Sequence, residues 1–207
     1  MNMRPEEIEQ SSMRIIEKEL AEQGYSIQPG IAPVVTRVIH TTADFDFADA
    51  LAFSPRAVEA GVEALARGVS LVTDTQMAAA GINKKRIEQN GGTVRCHIAD
   101  EDVAIMARER EVTRALVSME RAVDETPDAV FVIGNAPTAL LRLCELIGEG
   151  KAEPALVIGV PVGFVNVVES KEILMKINCV PWITARGRKG GSSVAAAIVN
   201  SLLLLGK

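Results

Sequence analysis

Apolar residues change their spacing along this chain. In "PEEIEQSSMRIIEKELAEQG" (residues 5–24) they recur three and four apart, the signature of a helix with one buried face. Pro5 suits its first turn, Glu6 and Glu7 its positive end, and Gly24 its stop. "APVVTRVIH" (32–40) is a short apolar run that reads equally as strand or helix. "SPRAVEAGVEALARG" (54–68) predicts a second amphipathic helix, with Ser54 as cap and Pro55 as first residue. From residue 69 a rhythm sets in. Five short runs rich in aliphatic and β-branched residues predict strands: "VSLVTD", "TVRCHIAD", "DAVFVIGNA", "PALVIGV" and "VPWITARG". The segments between and after them have helical character. "MAAAGINKKRIEQNGG" is a connector, "DEDVAIMARERE" runs on toward "ALVSMERAVDE" as one helix, and "PTALLRLCELIGEG" and "VNVVESKEILMKI" follow. "SSVAAAIVNSLLLL" reads as a closing amphipathic helix. Strand–helix alternation predicts one α/β domain over residues 1–207, with a mainly parallel, about five-stranded sheet flanked by helices and right-handed crossovers.

Composition narrows this picture. Of 207 residues, 48% are hydrophobic but only 3% aromatic, so the core is built from Ala, Val, Ile and Leu. So few aromatics give no stacking surface for single-stranded nucleic acid, and a net charge of -5 disfavours nucleic acid in general. Cys96, Cys144 and Cys179 are odd in number and widely spaced, which predicts neither a disulfide framework nor a zinc site and suits a reducing cytoplasm. The start, "MNMRPEEIEQ", is polar and unlike a signal peptide, and no apolar run is long enough to span a bilayer.

Candidate chemistry gathers where the predicted strands end. In an open parallel sheet, ligands bind beyond the carboxyl ends of the strands. "GNAPTAL", "GVPVGF" and "RGRKGGSS" each connect a strand to a helix there. One such loop is as well explained by a tight turn; three on one edge favour an anion-binding rim. The third places Arg186, Arg188 and Lys189 ahead of Gly190, Gly191 and Ser192, a receptor suited to carboxylate or phosphate, with a solvated basic loop as the bland alternative. The order of residues is not that of a P-loop, and no G-x-G-x-x-G follows any strand, so the sheet is Rossmann-like without a dinucleotide fingerprint.

The chain has two histidines. His97 follows Cys96 in a predicted strand, where neighbours face opposite sides, so the two cannot form a dyad and His97 reads as structural. His40 ends an apolar run in "RVIHTTADFDF" and is followed by Thr41, Thr42, Asp44 and Asp46, as a pocket-facing residue would be. An imidazole can give or take a proton near neutral pH. A histidine that merely packs or meets water fits the position equally, and no nearby histidine or cysteine gives metal-ligand spacing.

Together, "RVIHTTADFDF", "FSPRAVEA", "TDTQMAAAGINK", "GNAPTALLRL", "GVPVGFV" with "ESKE", and "RGRKGGSSVAAAIVNSLL" resemble the precorrin-8X methylmutase family over nearly the whole chain, from about Ile8 to Leu204. "RVIHTTADFD", "GINK" and "GRKGGS" are closer to its cobalt-dependent branch, which acts on cobalt-precorrin-8. The resemblance implies an isomerase of cobalamin biosynthesis that moves a methyl group from carbon 11 to carbon 12 of the ring, giving cobyrinate or hydrogenobyrinate. It implies no redox or methyl-donor cofactor, no protein-bound metal, a cytoplasmic homodimer, an acidic tetrapyrrole partner, and no nucleic-acid or membrane partner. His40 matches the family's histidine and takes the role of general acid. Ser12 matches a serine near the ring in the family, Arg114 an arginine after a threonine, and Asn83, Lys84, Asp74 and Thr75 the "GINK" and "TDT" turns; substrate contact is an expectation for each, and caps, turns and surface charge explain them as well. Thr41, Gly134, Asn135 and Gly163 join the loop residues Arg186–Ser192 as expected contacts for the ring's acetate and propionate arms. Asn166, Val167 and Val168 stand where the family often has smaller residues, and Gln76 where it has threonine or glutamate. A non-catalytic tetrapyrrole carrier, needing the same loops, is the alternative function.

Overall fold

The computed structural model describes residues 4–206. A long helix α1 (Pro5–Glu22) leads to α2 (Ala32–Thr42), a short α3 (Phe47–Ala50), β1 (Leu51–Phe53) and α4 (Ala57–Ala66). Then come β2 (Leu71–Thr73), α5 (Gln76–Gly81), α6 (Lys84–Gln89), β3 (Val94–Arg95), α7 (Glu101–Glu109) and α8 (Arg114–Glu125). The chain closes with β4 (Val130–Ile133), α9 (Pro137–Gly148), β5 (Leu156–Gly159), α10 (Val167–Met175), β6 (Trp182–Ala185) and α11 (Ser192–Leu205).

The sheet order is β1-β6-β5-β4-β2-β3, with β2 to β6 parallel and β1 antiparallel on the edge beside β6. The five expected strands are present, and β1 is a sixth. Its three residues, LAF, are too few to show a period; pairing with Ile183–Ala185 makes them a strand. Among the parallel strands the order is 2-1-3-4-5, so chain direction across the sheet reverses between β2 and β4.

The strands alternate between two cores, as a period of two requires. Val130 and Val132 of β4 and Leu156 and Ile158 of β5 face the core built by α1, α2, α4 and α11. Phe131, Ile133 and Val157 face the core built by α8, α9 and Leu174 of α10. This two-faced burial explains the near-continuous apolar runs.

One open reading is resolved and three local expectations need correction. The ambiguous run 32–40 is helical, because Pro33 in its first turn presets the backbone and Val34, Val35, Val38 and Ile39 bury one face. The second helix starts at Ala57: Ser54 accepts a hydrogen bond from Trp182 N–H instead of capping, and Arg56 is the N-cap in a left-handed conformation. The helix expected to run through residue 125 breaks at Glu111 (φ 52°) and restarts with Thr113 Oγ1 accepting from Leu116 N–H. Finally, α11 is not amphipathic: Val194–Val199 are buried without interruption, because α11 packs on α2, α4 and α5 at once.

Candidate active site

The reversal of strand order leaves a crevice beyond the carboxyl ends of β2 and β4. Asp74, directly after β2, is 1% exposed and sits under the β4–α9 loop. Its carboxylate accepts from the backbone N–H groups of Gly134 (2.9 Å), Asn135 (2.8 Å) and Ala136 (2.7 Å). Burial pushes this carboxyl above the usual range, against the opposing pull of the three amides. The amides that the sequence offers to a substrate anion are therefore taken up by a carboxylate of the chain itself. Asn135 stays exposed on the outer side of the loop. Gly134 is required by close approach, since a Cβ there would lie 2.7 Å from Cα of Ser192. Thr75 completes the junction, its hydroxyl 2.8 Å from that of Ser192.

The β6–α11 loop presents Arg186, Arg188 and Lys189 outward, all exposed. Its carbonyls turn the other way. The Gly187 and Lys189 carbonyls accept from Lys171 Nζ at 3.0 and 2.6 Å, and the Arg188 carbonyl accepts from Gly163 N–H at 3.4 Å. Gly190 lets the loop lie on the β5–α10 loop: a Cβ there would sit 2.2 Å from the Val160 carbonyl oxygen. Gly191, at φ 130°, turns the chain into α11. The Arg188 guanidinium lies 5.3 Å from the ring centre of Phe164, which is 82% exposed.

His40 occupies the last turn of α2 and is exposed. It borders a groove of about 220 Å³ shared with Ser12, Ile15, Ile16, Glu19, Ala43 and Phe45. The structure thus brings together His40 and Ser12, which stand 28 positions apart. The Ser12 hydroxyl donates to the Ile8 carbonyl. Thr41 and Thr42 donate to the carbonyls of Arg37 and Val38 and so finish the helix. Ala43 is left-handed, and Asp44 then accepts from Asp46 N–H to close the turn. Both aspartates hold Lys189 Nζ, each at 2.6 Å. Their hydrogen bonds raise the lysine's pKa, and the lysine lowers that of Asp44. The His40 segment and the basic loop are therefore clamped together, and the charge of Lys189 is matched within the protein.

The other expected contacts divide. Thr41 and Asn83 line a second groove of about 600 Å³ with Arg37, Arg86, Ser193 and Asn200. Asn83 caps α6 by accepting from Arg86 N–H, while its own N–H donates to Asn200 Oδ1. Lys84 is exposed in the first turn of α6. Arg114 is exposed at the start of α8, whose N-cap Thr113 is tied to the first turn of α9 by a 2.9 Å bond to Thr138. Gln76 reaches the Cys96 carbonyl. His97 lies beyond the end of β3, so strand geometry does not govern it; it is buried, with Nδ1 3.0 Å from Asp100 and Nε2 3.6 Å from Glu125. Cys144 is core, its thiol pushed up to about 12 by burial. Lys171 escaped the sequence reading. The signal was present: Val167, Ser170, Lys171 and Leu174 form one buried helical stripe, and a lysine on such a stripe needs internal acceptors.

Comparison with known proteins places the chain in a family. The profile of the family described as CbiC, precorrin-8X methylmutase, matches residues 7–205. A cobalt-precorrin-8 methylmutase of Priestia megaterium is 45% identical over 205 residues, covering 99% of this chain and 90% of that protein. The cobalt-precorrin-8 methylmutase of Salmonella typhimurium is 44% identical, covering 96% of this chain and 94% of the relative. A crystal structure of precorrin-8X methylmutase from Thermus thermophilus superposes with a TM-score of 0.87 at 42% identity, over 96% of this chain and 95% of the other. The chain belongs to the precorrin-8X methylmutase family.

Proposed function

We propose that the protein is an isomerase that moves a methyl group from carbon 11 to carbon 12 of cobalt-precorrin-8, giving cobyrinate, with His40 as general acid. Cobalt, where present, belongs to the substrate. The observation that carries this reading is the clamp of Lys189 on Asp44 and Asp46, which fixes an exposed histidine beside an anion-suited loop. A methyl shift within a conjugated ring redistributes charge and needs no protein nucleophile. A proton placed on the macrocycle by His40 draws electron density toward the acceptor side and lowers the barrier, typically by 10²–10⁴-fold in rate, order-of-magnitude. The methyl donor and acceptor are atoms of one molecule, so no external donor enters. Arg186 and Arg188 pair with the ring's carboxylate arms, and Ser12 lies along the ring edge beside His40. The protein works as a cytoplasmic homodimer, a state that sedimentation of the purified protein measures directly. Among the described residues, no helix is long and apolar enough to cross a membrane.

Purified protein incubated with cobalt-precorrin-8 gives the corrin chromophore in the visible spectrum. H40A lowers kcat by about 10²-fold or more while retaining binding. Wild-type protein that returns the ring unchanged is a carrier, and H40A turning over at the wild-type rate removes His40 from the chemistry.

A further inference from the structure

We propose that Lys171 is a positioning residue: from inside the protein it turns two carbonyls of the β6–α11 loop away from the substrate's carboxylates, so that Arg186 and Arg188 are what the loop offers them. This rests on the reading of that loop as the carboxylate receptor. Lys171 is 1% exposed, and among the described residues its ammonium is held by carbonyl oxygens and by no carboxylate. Its acceptors are two carbonyls of one loop, Gly187 and Lys189. With Gly163 N–H taking the Arg188 carbonyl between them, three consecutive carbonyl oxygens of the loop are engaged by donors of the protein.

A carbonyl oxygen carries the negative end of the peptide dipole, and one directed outward would repel an incoming carboxylate. Engaging all three within the protein leaves Arg186 and Arg188 exposed on the outer face, beside Lys189, whose charge Asp44 and Asp46 match. The charge matters as well as the hydrogen bonds. A buried ammonium is poorly screened, so it adds positive potential beneath the loop, where surface charges alone would be weakened by solvent. A lysine placed only for stability would be matched by a buried carboxylate, as buried charges usually are. This one is matched by the dipoles of the loop that needs orienting.

The test uses the full-length protein, with cobyrinic acid as the carboxylate-bearing probe, titrated by visible absorption, and cobalt-precorrin-8 for turnover. In K171M, Kd for the probe and KM both rise about ten-fold or more, while kcat at saturation stays within about three-fold, the split expected of lost uniform binding. K171R, which restores charge and N–H donors, recovers part of the affinity. A folded K171M with wild-type Kd and KM overturns the proposal, as does one that loses kcat alone. Should K171M not fold, the wild type decides: ¹⁵N-lysine NMR should show one slowly exchanging ammonium that shifts when cobyrinic acid binds. Absence of that resonance, or its indifference to the probe, overturns the proposal. Wild-type protein that neither binds the probe nor converts the substrate overturns the functional reading itself, an outcome distinct from an unaffected K171M.

Discussion

At the scale of single residues, Asp74 and Lys171 are opposite charges doing the same kind of work beneath adjacent loops. Asp74 gathers three N–H groups of the β4–α9 loop, and Lys171 gathers two carbonyls of the β6–α11 loop. The partners of neither charge can be read from local sequence, because each lies 16 to 62 positions away. His40 was legible, since a lone histidine ending an apolar run is visible without a structure; what surrounds it was not. The hydroxyls behind it finish a helix, and the acids hold Lys189. Asp74→Asn tests the first strut. An amide replaces one acceptor oxygen with a donor that faces an N–H group. The loss of charge-assisted hydrogen bonds predicts destabilisation of about 2–3 kcal/mol. In a chain of this size that lowers Tm by about 5–10 °C, measured by thermal unfolding. An unchanged Tm would show that the three amides hold the loop without the carboxylate's charge.

At the scale of elements, the alternation of periods was the most legible feature, because strands buried on both faces and helices buried on one write different patterns. Features set by a distant partner or by a single residue escaped: β1 depends on pairing with β6, and the break at Glu111 depends on one left-handed residue. The three strand-to-helix loops were recognisable by their glycines, but their mutual packing was not. Gly190 shows what that packing demands. Gly190→Ala places a methyl 2.2 Å from the Val160 carbonyl oxygen and 2.7 Å from that of Pro161. Both are backbone atoms, so the two loops must separate. The expected cost is about 2 kcal/mol or more by urea unfolding. A KM increase should accompany it, since Arg186 and Arg188 move with the loop. A variant with wild-type stability and KM would mean that the loops do not touch in solution.

At the scale of the whole molecule, net charge and local charge point in different directions. The protein carries -5 overall, yet its basic loop is underlain by a cation with no carboxylate partner among the described residues. Holding that cation has a cost that pH reveals. Burial pushes the Lys171 ammonium down to about 8 from 10.5. Between those values the unfolded chain binds the proton that the folded chain has released, so stability rises with pH across this window. The neutral amine still has two N–H donors for its two carbonyls. Other groups oppose the trend at higher pH. Cys144, pushed up to about 12 from 9, keeps its proton in the folded state and lowers stability as pH rises above about 9. Lys171 therefore dominates between pH 8 and 9, where its contribution grows by about 1 kcal/mol. The measurement is urea unfolding at several pH values for wild type and K171M, because their difference cancels every other titrating group. The difference curve should climb by that amount from pH 8 to 9, and K171M should be no less stable than wild type at pH 7. A flat difference would place the ammonium in contact with solvent. A large loss of stability in K171M at pH 7 would make Lys171 a strut of the fold. The predicted pattern, a variant that folds at least as well and binds worse, is that of a charge held against the stability of the fold for the sake of an anionic ligand.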